Sequence, residues 1–220
     1  AVVGEKELDA YKMDSGLIKA SEEFINDSFF PVDGLIGSLL GERLGRRLNA
    51  KATTGTGTNQ GNGYVTASTA ITAAAADDAV TYSELLGLIH AVDPAYRASP
   101  MFRLSFNDSS LLAIKQIAIG SGDARPLWAP GMAQGEPNTI DGKRYFINQD
   151  MASMAFDAKA FVAGDMSQFW IRLVQDVRLK RLNERFGEFD QIGFIAFLRY
   201  DCELATSSTL ALKHLPMAAS

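Results

Sequence analysis

The chain has 220 residues, 47% of them apolar and 21% charged, which allows a substantial core and is too apolar for a disordered polymer. Its net charge of −5 disfavours a protein that grips duplex DNA through many phosphates, although a local basic patch can hide inside an acidic total. No run approaches 18 uninterrupted apolar residues, and AVVGEKELDA lacks the basic start and apolar centre of a leader, so the sequence reads as soluble, intracellular and without a membrane partner.

The first strong pattern is helical. Between residues 27 and 50, Val32, Leu35, Ile36, Leu39, Leu40, Arg43, Leu44 and Leu48 recur at three- and four-residue steps, with Ser28 as a cap and Pro31 in an early turn. Gly34, Gly37, Gly41 and Gly45 share a neighbouring face. At about 1 kcal/mol each relative to Ala, they weaken the isolated helix by roughly 4 kcal/mol. Something outside the helix must hold it, either the protein's own sheet packed closely or the backbone of another subunit, and Gly37 and Gly41 mark that seam.

The next segment, TTGTGTNQGNG over residues 53–63, has the glycine content of a phosphate-binding loop. It lacks the Lys-Ser/Thr of one such pattern and the strand–glycine–helix context of the other, so it reads as a flexible connection between two structural units. Tyr64-Val65-Thr66-Ala67 is β-prone, and residues 66–79 are too simple in composition to assign. Thr81 and Glu84 form a capping box for a helix through Leu85, Leu88, Ile89 and Val92, stopped by Pro94, with His90 half-buried on it. Residues 101–106 read as a strand, Asn107 or Asp108 as the cap of a helix ending at Gly120, and residues 120–142 as a Gly/Pro-rich loop holding Trp128 and Met132. Strands are expected at 161–162, 169–174, 177–182, 191–204 and 209–215. The class is α+β.

No catalytic constellation passes its spacing test. Cys202 sits in the apolar run GFIAFLRYDCEL as a packed thiol, and a single cysteine excludes an internal disulfide. With only His90 and His214 there is no zinc cluster, and Glu22-Glu23 and Asp77-Asp78 read as solvated neighbours rather than paired acids. The basic residues Arg43, Arg46, Arg47 and Lys51 suit the C-terminal end of the long helix through its dipole.

Residues 10–28, the long helix, TGTGTNQGNG, then FVAGDMSQFWIR (161–172), Arg185-Phe186 and GFIAFLRYD (193–201) follow one another in an order that resembles the major capsid proteins of tailed bacteriophages, the Hong Kong ninety-seven-like fold. The resemblance covers nearly all of the chain. It implies a spine helix near residues 30–49, a peripheral domain formed by residues 1–54 and 164–208, an axial domain at 55–163, and a C-terminal strand at 209–220 returning to the axial domain. It further implies a structural shell protein, phage- or prophage-encoded, that encloses double-stranded DNA. Copies would join as pentamers and hexamers, with no enzymatic activity and no cofactor. Portal and scaffolding proteins are the expected additional partners, and packaged DNA would be contacted only non-specifically. The shell would be assembled in the bacterial cytoplasm. Subunit contacts are expected at Gly37, Gly41, Trp128, Met132, Arg185, Phe186, Glu188 and Asp190. The family's N-terminal arm and hairpin have little counterpart before Lys12. The asparagine that some members crosslink has no counterpart in Asp190-Gln191-Ile192, so covalent crosslinking is not implied. Two alternatives remain: a nanocompartment shell of the same fold, and a nucleotide-binding enzyme using the Gly55–Gly63 loop.

Overall fold

The structure is a computed structural model that describes residues 7–29, 31–120, 123–126, 139–206 and 209–219. In chain order its elements are β1 (Tyr11–Asp14), β2 (Ile18–Ser21), α1 (Glu22–Asp27), α2 (Val32–Thr54), α3 (Tyr64–Ala67), β3 (Thr69–Ala70), α4 (Tyr82–Ala91), α5 (Pro94–Arg97), β4 (Phe102–Phe106), α6 (Asp108–Gln116), β5 (Ala118–Gly120), β6 (Asp123–Pro126), β7 (Thr139–Ile140), β8 (Lys143–Ile147), β9 (Lys159–Asp165), β10 (Phe169–Leu182), β11 (Gln191–Leu204) and β12 (Leu212–Pro216). They divide into two compact units. One comprises Glu5–Asn62 with Ile171–Glu203; the other comprises Gly63–Trp170 and the stretch from Leu204.

The first unit is a four-stranded antiparallel sheet covered by α2. β11 is central, with β10 along one side and β1 and β2 paired to the other; Tyr11 stands opposite Tyr200 and Ile18 opposite Phe194. Alternation sends Ile192, Phe194, Ala196 and Leu198 to one face, where they meet Val32, Ile36, Leu40 and Leu44 of the helix. The buried helical stripe is therefore a single row at four-residue steps. Leu35 and Leu39, expected in the same stripe, are 45% and 40% exposed, because one sheet face covers less than half of the helix circumference.

α2 begins three residues later than a Ser28 cap would place it. Pro31 takes the cap position with extended backbone, and Ser28 instead closes α1, its hydroxyl donating to the Phe24 carbonyl. At the other end the helix runs on to Thr54, about 34 Å in all at 1.5 Å per residue.

The second unit is a six-stranded mixed sheet in the order β3-β12-β9-β4-β8-β7. Its antiparallel centre, β12-β9-β4, carries Phe102, Leu104, Phe106, Phe161 and Leu215 into a core completed by Leu85, Leu88 and Ile89 of α4 and Leu111 and Ile114 of α6. Here the local signals act as written. Thr81 and Glu84 make both halves of the capping box at the start of α4, and Asn107 caps α6 by accepting from the Ser109 amide.

Other expectations give way to tertiary context. Tyr64-Val65-Thr66-Ala67 is a helical turn rather than a strand: the Tyr64 ring packs edge-on against Phe169, and its hydroxyl sits 2.8 Å from Ser105 Oγ. α6 ends at Gln116, four residues before Gly120, because Ala118–Gly120 is drawn out as β5 against β6. The strands read separately at 169–174 and 177–182 are one 14-residue strand, and the last strand is Leu212–Pro216, set by its pairing with β9. His90 is exposed rather than half-buried, its Nδ1 2.6 Å from the Arg97 guanidinium.

Candidate functional site

The glycine-rich stretch after α2 is where an enzyme reading would have to live, and three of its backbone donors are already occupied. The Gly55 amide donates to the Lys51 carbonyl at 2.9 Å, Gly57 to Gly61 at 3.3 Å and Asn62 to Cys202 at 2.8 Å. Thr56 bridges Asn62, so the segment closes on itself as a small hairpin whose tip residues, Gly57 and Asn59, have φ of 73° and 55°. A Cβ on Gly61 would lie 2.9 Å from the Cys202 amide nitrogen and closer still to its sulfur, and one on Gly55 would strike the Gly61 and Lys51 carbonyls. Gly61 serves close packing against β11, and Gly55 close packing within the turn itself. The segment connects two units, as the sequence indicated, but as a clamped turn rather than a flexible tether.

The chemistry around it is equally closed. Cys202 is fully buried, and burial, with the charges of Asp201 and Glu203 next to it, pushes its thiol pKa up to about 12. His214 is buried with Nδ1 2.8 Å from Ser68 Oγ; burial first, and the nearby Lys159 charge second, lower its pKa to about 4. Among the described residues no group of three His, Cys, Asp or Glu side chains is placed to hold a metal, and no helix is long and apolar enough to cross a membrane.

What the molecule offers instead is surface. Gly34, Gly37, Gly41 and Gly45 line the side of α2 away from the sheet, and no atom of the described residues lies within 4 Å of where a Cβ would stand on any of them. Packing against the protein's own sheet, one of the two explanations for this face, is therefore overturned: among the described residues nothing covers the glycine face. The candidates Arg185, Phe186, Glu188 and Asp190 form the turn between β10 and β11. Phe186 is half-buried, with its ring filling the space above Gly193 and the Lys19 ammonium 4.2 Å from its centre, while Arg185, Glu188 and Asp190 are exposed. Asp190 reverses the chain in the left-handed region at φ 50°. This turn and the glycine face belong to the same unit; Trp128 and Met132 lie outside the described residues.

Sequence reasoning missed the character of β10. Its odd-numbered positions place Ile171, Leu173, Val177 and Leu179 on the helix side of the sheet, as the Arg181 guanidinium 5.8 Å from the Phe194 ring shows, yet beyond the reach of α2 and about half exposed. Its even positions put Asp176, Arg178 and Lys180 on the opposite face beside Lys12, Phe197 and Arg199, around a shallow cleft of about 130 Å³. Period-2 alternation in FWIRLVQDVRLKRL carries this signal. The alternation of Arg178 and Lys180 is legible within residues 177–182, and splitting the strand at Gln175-Asp176 hid its continuation.

The sequence pattern of the phage capsid family matches residues 2–213 of the 220. The chain belongs to the phage capsid family. Solved capsids share its fold. The capsid of an empty GTA particle superposes with a TM-score of 0.81 at 23% identity, over 100% of this chain and 79% of that one. The capsid of the native GTA particle gives 0.82 at 23% identity, over 96% and 74%. The chain from Gordonia phage Cozz gives 0.68 at 12% identity, over 100% and 78%. A comparison with curated protein sequences finds no match. A capsid protein is a structural shell protein, which accounts for a molecule whose distinctive features are surfaces and whose glycine loop, thiol and histidine are packed away. Its place is the virion capsid.

Proposed function

We propose that this capsid protein closes by repeated head-to-tail contacts between copies into pentamers and hexamers, and that these form an icosahedral shell around double-stranded DNA. The observation that carries the reading is the open glycine face of α2: four glycines that weaken a long helix gain a purpose when another subunit's backbone lies along them. In this reading α2 is the spine. The sheet β1-β11-β10 with β2 belongs to a peripheral domain and the six-stranded sheet to an axial domain. Arg185, Phe186, Glu188 and Asp190 form a second contact, at a sheet corner, and Trp128 and Met132 a third. The protein acts through these contacts and catalyses no reaction, it assembles in the bacterial cytoplasm, and portal and scaffolding proteins are its further partners.

Electron microscopy of the product expressed in bacteria tests this. Closed particles of uniform diameter holding nuclease-protected DNA are expected when packaging partners are supplied. Particles filled with protein cargo instead, or saturable nucleotide binding at the Gly55–Gly63 loop, would overturn it.

A further inference from the structure

We infer that the outer face of the β1-β11-β10 sheet is a binding surface for the phosphate backbone of a nucleic-acid duplex. Lys12 and Arg199 stand opposite each other on β1 and β11, and Arg178 and Lys180 project to the same face from β10. All four are exposed, and among the described residues none is held in an ion pair. Asp176 is the acid in their cleft. Asp14, on the same face, is already neutralised by Arg47 of α2, which also donates to the Asp14 carbonyl at 2.7 Å. Lys51 extends the basic edge in the adjoining cleft, so an electropositive face stands out in a chain of net charge −5.

The geometry favours a dense, regular polyanion over an acidic peptide. Three strands span roughly 10 Å, and Arg178 and Lys180 lie two residues, about 6.8 Å, apart. Over 10 Å a duplex presents about six phosphate charges, whereas an extended peptide turns only one or two side chains to a face over that length. The cleft also lacks a socket for an apolar anchor. The one aromatic ring lining it, Phe197, is capped by the Lys12 ammonium at 4.2 Å and approached by Lys180 at 5.9 Å, which equally denies a platform there to an unstacked base. What remains is contact with phosphates, independent of sequence.

The inference rests on the shell reading for the presence of DNA, but it is measured on the free chain and can fail while assembly succeeds. A 30-base-pair duplex titrated into the protein at 50 mM salt is expected to bind with Kd on the order of 10⁻⁵ M, the weak range of non-specific contact. Four phosphate contacts give a slope of log K against log salt of about −3.6, hence a fall of about 100-fold between 50 and 200 mM. Arg178→Gln/Lys180→Gln should bring the slope near −1.8, while Lys115→Gln/Arg144→Gln, on the other unit, should leave it unchanged. Circular dichroism checks that both variants fold. No binding at 50 mM salt, an unchanged slope in the first variant, an equal loss in the second, or tighter binding to polyglutamate of matched charge would each overturn the proposal.

Discussion

Gly41→Ala and Gly37→Ala separate what the helix needs from what the shell needs. In the free chain both positions are helical, and nothing among the described residues lies within 4 Å of the added methyl group, so the substitution brings no clash. The helix gains about 1 kcal/mol at each site from the lost flexibility of glycine, or about 2 kcal/mol for the pair. For a chain of this length that raises Tm by about 4–8 °C, at roughly 2–4 °C per kcal/mol. Leucine at the same positions should also be tolerated by the free chain, because its side chain projects into open space. In a shell where a neighbour's backbone lies on this face, the same leucine holds the subunits apart. Thermal melting of the dilute protein, followed by circular dichroism, and light scattering of assembly reactions read the two effects independently. The expected result is a higher Tm for the alanine pair and at least a tenfold loss of particles for Gly37→Leu or Gly41→Leu. A lowered Tm for the alanine pair would refute the open face, and normal particle yield from both leucine variants would refute the seam.

Gly61→Ala should do the opposite in the free chain, costing about 1–3 kcal/mol by forcing a methyl group into Cys202, visible as a lower urea midpoint; an unchanged midpoint would contradict the clamped-turn description. His214 makes stability fall with acid: the unfolded chain takes up the proton near pH 6.5 and the folded chain only near pH 4, so the contribution is complete above 6.5 and about 2 kcal/mol of it is lost by pH 5. His214→Gln should flatten stability between pH 6.5 and 5, and parallel curves for the two proteins would sink the assignment. Cys202, buried and with its pKa raised, should resist a thiol reagent at pH 8 in the native protein and react with one equivalent in denaturant; prompt native labelling would show that the site opens. Thr81→Ala should cost about 1 kcal/mol by breaking the capping box of α4, read as a drop of a few degrees in Tm.

Signals that act within a few residues were legible in the sequence. Thr81 with Glu84 and Asn107 before Asp108 fix helix starts, because their side chains reach amides only two or three residues away. The four-residue row Val32, Ile36, Leu40, Leu44 and the alternation along residues 191–204 state which faces are apolar, and the order of segments with their local wording was enough to indicate the family. The packing of Cys202 followed from its apolar neighbours in the same strand.

What the tertiary structure decided was who stands opposite whom. Leu35 and Leu39 look the same in sequence as Ile36 and Leu40, and only the width of the β11 face divides them into exposed and buried. Tyr64–Ala67 has strand propensity but turns helical, because the Tyr64 ring and hydroxyl find Phe169, Ser105 and Asn148, partners from distant parts of the chain. β10 stays whole through Gln175-Asp176 because ladder pairing to β11 supplies backbone partners that no local pattern records. The two glycine clusters show the division most clearly. Gly55 and Gly61 are required by atoms of the same chain, at contact distances a sequence cannot contain, whereas Gly37 and Gly41 meet nothing among the described residues. Composition marks both clusters as places of close approach; only the fold tells which approach is already made.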